Sequence, residues 1–187
     1  MKTIILTIIT ILALVMSGCS NSVSEPDMPE IVFKVCTVYN QYEHNFDEND
    51  SVEQGRYSLT FVDKNGNYYF SDYSEIYFLS DEELIESLKS GDERITKLPK
   101  SCDADELWEN YKKLLKVANN KEYGLDYPKF VPSAESDRII WYGLYYDKDG
   151  KLSSLPIHEY KNYTGINAND DRANEIFEWY SVAAKTQ

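Results

Sequence analysis

Residues with obvious chemistry are scarce in this chain. It holds two histidines, His44 and His158, among 187 residues. Neither falls in the H-E-x-x-H helix pattern or a paired spacing that would hold zinc, so no metal is expected there. His158 and Glu159 are neighbours on an expected strand, where successive side chains point to opposite faces, so they cannot cooperate locally. No nucleophile elbow, phosphate-binding loop or dinucleotide fingerprint occurs, and no cofactor is implied. Cys36 and Cys102 lack the local partners that would make either a nucleophile. These absences argue against catalysis; a cell-wall enzyme, which would need His44 or His158 gathered with carboxylates or a cysteine, is the least favoured reading.

Basic charge is short as well. The chain carries 19 Lys and Arg against 32 Asp and Glu, a formal charge of −13. Binding a polyanion depends on cations displacing counterions, and no basic run exists, so nucleic acid is excluded as a partner. The same charge repels anionic headgroups, which leaves the folded part no electrostatic reason to touch a membrane.

Long apolar runs are confined to the N-terminus. After Lys2 the chain is apolar from Ile4 to Met16, broken by Thr7 and Thr10. As a helix this run would span about 20 Å, against a hydrocarbon core of about 30 Å, which is too short for a permanent span and right for a signal peptide. The segment Met16-Ser17-Gly18-Cys19 then resembles the lipobox of bacterial lipoproteins: an aliphatic residue, two small residues and a cysteine. The resemblance implies cleavage before Cys19 and a diacylglyceryl group on its thiol. Two acyl chains anchor stably where one binds only marginally. The expected organisation is therefore a signal peptide at residues 1–18, a lipidated cysteine and tether at 19–29, and a single domain at 30–187. The tether, Ser20 to Pro29, is small, polar and proline-punctuated, without apolar periodicity.

Aromatics make up 14% of the chain, with 16 Tyr, more than a disordered acidic segment carries, so the acidity reads as a solvated surface over a packed core. Period-2 patterns place strands at Ile31 to Tyr42, Arg56 to Asp63, Tyr68 to Asp72, Arg138 to Asp147 and within Leu152 to Tyr160. A short apolar segment, Ile76 to Leu79, extends the sheet in this reading. Asn65-Gly66 and the related turn Asp147 to Gly150 read as hairpins. Helical spacing predicts helices from Ser80 to Ser90, opened by a Ser80–Glu83 capping box and ended by Gly91, from Asp103 to Asn119, capped by Asp103 and Glu106, and from Asp170 to Ala184. The order implies an α+β fold, an antiparallel sheet of about five or six strands with three helices mainly on one face.

In an oxidising compartment Cys36 and Cys102 form a candidate disulfide, subject to a Cα separation sequence cannot supply. Asn167, Asn169, Asp171, Glu175 and Glu178 fall at ligand places of a calcium loop, but Arg172 occupies the place where glycine must turn the chain, and an acid-rich helix start accounts for the same residues. The strongest binding signal is aromatic: Tyr69, Trp141, Tyr142 and Tyr145 on expected strands form a candidate surface for docking a protein or glycan, with cross-strand packing as the competing explanation. The expected function is a membrane-anchored, noncatalytic lipoprotein binding an envelope protein or glycan. The alternative is an acidic inhibitor or immunity-type lipoprotein that neutralises a basic extracellular enzyme.

Overall fold

The computed structural model describes residues 26–41, 54–128, 137–161 and 164–185. The leader, Cys19, most of the tether, His44 and the Asn162-Tyr163 pair lie outside the described residues. The elements run β1 (Ile31–Gln41), β2 (Gln54–Asp63), β3 (Asn67–Ser71), α1 (Ser74–Tyr77), α2 (Asp81–Ser90), β4 (Thr96–Ser101), α3 (Ala104–Ala118), β5 (Arg138–Tyr146), β6 (Leu152–Lys161), β7 (Thr164–Ile166) and α4 (Asp171–Lys185). The fold is α+β. One antiparallel seven-stranded sheet has the order β4-β3-β2-β1-β5-β6-β7.

The sheet exceeds the expected strand count by its two edges. β4, Thr-Lys-Leu-Pro-Lys-Ser, carries a proline and two lysines, which suit an edge because the proline has no N–H to give a ladder and the charges deter pairing with another chain. β7 spans only Thr164–Ile166, too short to show alternation. The segment after β3 is a single helical turn: Ile76 is buried while Phe78 is exposed, and so few residues cannot distinguish the two periods.

Both hairpin turns are built alike. The Asp63 carboxylate accepts from the N–H groups of Asn65 and Asn67 at 2.9 and 2.8 Å, and Asp147 accepts from those of Asp149 and Lys151 at 2.9 Å each. Gly66 and Gly150 take φ of 80° and 75°. Their surroundings differ, since a β-carbon on Gly66 would stand 2.7 Å from the Cys102 carbonyl oxygen while one on Gly150 meets nothing within 4 Å. Gly150→Ala is therefore expected to cost about 1 kcal/mol from backbone strain alone, and Gly66→Ala about 3 kcal/mol. Urea unfolding of both variants checks this; equal losses would show that the close approach of Cys102 to the turn is immaterial.

Helices cover both faces of the sheet. The two long helices α3 and α4 share one face, where Tyr111, Leu114, Ile176 and Tyr180 pack on Val32, Phe33, Val62 and Ile157. The shorter pair α1 and α2 covers part of the other, setting Ile76, Leu84 and Ile85 against Ile31, Phe61 and Leu144. This second layer follows from strands that are apolar on both sides, as β5 is. Gly143 admits α3 to close range, because a β-carbon there would stand 2.5 Å from a methyl group of Leu114. β1 also departs from simple alternation: a bulge between Ile31 and Phe33 sends Ile31 to the α1–α2 face while Val32 and Phe33 both face α3 and α4.

Local caps hold the helices as their residues foretell. Ser80 and Glu83 exchange hydrogen bonds in a capping box, and Gly91 ends α2 at φ 71°. Asp103 caps α3 by accepting from the N–H groups of Asp105 and Glu106.

Candidate functional site

Helices α3 and α4 leave one end of their sheet face open. The cross-strand row Tyr68–Val62–Phe33–Gly143 belongs to or borders the covered core. The next row, Phe70–Thr60–Val35–Trp141, and the one after it, Ser58–Thr37–Ile139, form the floor of a groove of about 480 Å³. Leu98 and Lys100 of β4 wall one side, Ser181 of α4 closes the inner end, and Tyr39, 43% exposed, stands at the rim.

The groove is apolar with a few placed polar groups, the usual composition of a binding pocket. Thr37, Ser58 and Thr60 bring hydroxyls, each able to donate and accept. Lys100 is the one charged residue in the lining among the described residues. Its ammonium lies 4.7 Å from the centroid of the Tyr68 ring, a cation–π contact, and partial burial lowers its pKa. Trp141 is held in place from behind: its ring meets those of His158 and Phe177 edge-on at 5.2 and 5.0 Å, and His158 stacks on Phe177 at 3.6 Å.

The four aromatics singled out from sequence do not make one patch, because pleating divides them. Trp141 and Tyr145 lie on the α3–α4 face; Tyr69 and Tyr142 lie on the other. Trp141 lines the groove and Tyr145 a separate cleft beside Pro26 and Leu115. Tyr69 stacks on Phe61 and donates its hydroxyl to Asp63, and Tyr142 lies beneath the Lys34 ammonium. Sequence reading missed Thr37, Ser58, Thr60 and Lys100 as lining residues. Their common signal is that they occupy every second position on adjacent strands, which becomes a site only once strand order is known. A second aromatic cluster sits on the opposite face, where Tyr57 contacts Tyr77 and Phe78 at 5.0 and 4.9 Å and Phe78 is 67% exposed.

Cys36 and Cys102 are free thiols packed against opposite faces of the sheet. The candidate disulfide is thereby corrected: Cys36 alternates with Val35 and Thr37 along β1 and so points away from the layer that holds Cys102. Burial pushes the Cys36 thiol up to about 11 and raises that of Cys102, the reverse of what a nucleophile needs. His158 is 5% exposed, and burial lowers its pKa to about 4, so at neutral pH it is an uncharged packing residue bonded to Asn167. Glu159 points the other way, where Arg138 and Tyr127 donate to it at 2.7 and 2.6 Å.

Of the residues at calcium-loop spacing, Asn167, Asn169 and Glu175 bond to other parts of the fold, as does the neighbouring Asn174. Asn169 accepts from the N–H of Gly124 and donates to the Glu122 carbonyl, Asn174 bonds both backbone groups of Ala168, and Glu175 pairs with Lys113. Asp170 starts α4 by accepting from the N–H and guanidinium of Arg172. Among the described residues no cluster of His, Cys, Asp or Glu is arranged to hold a metal ion, and no helix is long and apolar enough to cross a membrane. Comparison with family models, curated proteins and solved structures finds no match to this chain.

Proposed function

We propose that the chain is a lipid-anchored extracytoplasmic binding protein that does no chemistry of its own and receives a protein or glycan of the cell envelope in the groove above Val35, Thr37 and Trp141. The anchor rests on the lipobox-like segment ending at Cys19. The groove is the observation that carries the binding role: an aromatic and aliphatic floor with spaced hydroxyls and one cation, left open by helices that cover the rest of that face.

Its position suits presentation. The tether enters the fold at Asp27, whose carbonyl accepts the Tyr111 hydroxyl at 2.7 Å, just before β1. The groove lies toward the other end of that strand. At roughly 3.3 Å per residue Tyr39 stands about 26 Å beyond Ile31. A ligand in the groove is thus held at the end of the sheet remote from the tether.

The test uses the full-length protein, captured from cells and exposed to envelope extract at graded salt. Ser58→Trp fills the groove floor and is expected to reduce capture at least tenfold. Phe78→Ala, on the opposite face, is expected to leave it unchanged. The reverse pattern would move the binding surface to the other face. Cys19→Ala is expected to release the protein from the membrane fraction, and undiminished retention would remove the anchor.

A further inference from the structure

We infer that the groove floor carries an acid-operated latch: protonation of His158 opens the bulged stretch of β6 beside Trp141, and the groove gives up its ligand. The inference rests on the groove reading above and adds the condition under which the site empties.

Three rings make the latch. Trp141 of β5 and His158 of β6 are cross-strand partners. Phe177 of α4 stacks on His158 at 3.6 Å and meets Trp141 edge-on at 5.0 Å. Trp141 also lines the groove, so what displaces the other two rings disturbs the floor.

The histidine fits only while neutral. It is 5% exposed, and its Nδ1 atom is buried without a hydrogen-bond partner among the described residues, so the bond to Asn167 is made through Nε2. On a neutral ring Nδ1 is an idle acceptor. A proton there makes a charged donor with nothing to receive it, which a buried setting penalises heavily. The charged groups on the surrounding elements do not answer it. On β5 and β6, Arg138 donates to Glu159 on the opposite face, and Lys161 acts on that same carboxylate. On α4, Asp170 accepts from Arg172 and Glu175 pairs with Lys113, while Asp171 and Glu178, like Asp126 ahead of β5, are exposed. β7 carries no charge. Tyr160, on the same face of β6, and Tyr123, which donates to the Pro156 carbonyl, are phenols and stay neutral in acid. Burial accordingly outweighs the raising influences of Asn167 and Glu159 and lowers the His158 pKa to about 4.

β6 is built to give way at this point. Its pairing with β5 shifts register between Trp141 and Tyr142, whose partners are His158 and Pro156, which leaves Ile157 as a bulge. Pro156 has no N–H for either ladder, and on the other side β7 pairs through three residues only. Opening there lets the imidazole take its proton at the ordinary value near 6.5. By linkage, the opened arrangement is favoured about 70-fold more at pH 4.5 than at pH 7.5.

The experiment follows hydrogen exchange by mass spectrometry in the full-length protein in phosphatidylcholine vesicles at pH 7.5 and pH 4.5, each rate divided by that of an unstructured peptide at the same pH. Segments holding Trp141 and His158 are expected to open about 70-fold more readily at the lower pH, and α2 far less so. His158→Phe, which keeps a flat ring but takes no proton, should abolish the rise. Asn167→Asp, an exposed change that sets a carboxylate beside the ring, should blunt it by raising the folded pKa toward its ordinary value. Envelope capture at pH 4.5 should fall in the wild type and hold in His158→Phe. A rise that survives in His158→Phe, or one shared equally by α2, would overturn the latch. Opening confined to β5 and β6 together with capture insensitive to Ser58→Trp would bring down the groove reading and keep the latch; capture that depends on Ser58 and not on pH would do the reverse.

Discussion

Arg138→Met is expected to destabilise the protein by about 2 kcal/mol at pH 7, less than breaking a fully buried pair costs because water screens the exposed side of the guanidinium. The loss comes from what is left behind. Arg138 is half exposed, with 48% of its side chain accessible, whereas its partner Glu159 retains 2%. Burial alone would raise the Glu159 carboxyl, yet hydrogen bonds from Arg138 and Tyr127 outweigh it and hold the pKa below its ordinary value. Without the guanidinium, the carboxylate keeps its burial and loses its main compensation, and its pKa rises above the unfolded value. The sign of the pH dependence then inverts at this site. In the native protein the pair contributes stability above the ordinary carboxylate range and loses it as pH falls; in the variant, falling pH protonates a strained carboxyl and narrows the deficit. Glu159→Gln in the same background should recover much of the loss, since an amide can still accept from Tyr127. Urea unfolding at pH 7 and pH 4.5 measures both effects, and a deficit that does not shrink on acidification would refute the account.

The second large effect belongs to His158. Its pKa is lowered to about 4, first by burial, against the opposing influences of Asn167 and Glu159. An unfolded histidine takes up a proton near pH 6.5, so between that pH and about 4 the unfolded chain binds more protons than the folded one. Stability at this site is therefore complete above pH 6.5 and lost progressively as pH falls toward 4, by roughly 3 kcal/mol in all. His158→Phe preserves a flat ring for Phe177 to stack on and Trp141 to meet edge-on, but cannot be charged. It is expected to flatten the stability profile of the wild type over that interval, and parallel profiles would count against the assignment. Because the same ring backs Trp141, the groove should be among the first features disturbed by acid.

Features governed by near neighbours in the chain were legible in advance. The Asp-x-Asn-Gly and Asp-x-Asp-Gly turns, the Ser80–Glu83 capping box, the Gly91 stop, the Asp103 cap and the helical stripes of α3 and α4 each depend on interactions over a few residues, and the structure forms all of them. The short edges were not legible. β4 is stabilised by pairing with β3 and not by its own composition, and β7 is too brief for a period to register. The helical turn at Ile76 is likewise decided by the cluster it joins.

The site shows the same division more sharply. Aromatic richness in the strands was visible as composition, and Trp141 does line the groove, yet Tyr69 and Tyr142 fall on the far face and Tyr145 in another cleft. Sequence by itself determined the acidic surface, the α+β class, the turns and caps, and the lipobox-like start. Tertiary structure alone decided which strands adjoin, where the β1 bulge switches faces, which thiols are kept apart, and that Lys100, Thr60 and Trp141, from three different strands, line one groove. The physical reason is range: turns and helices close their hydrogen bonds within a few residues, whereas a groove across five strands draws each wall from a different part of the chain, and nothing local encodes their meeting.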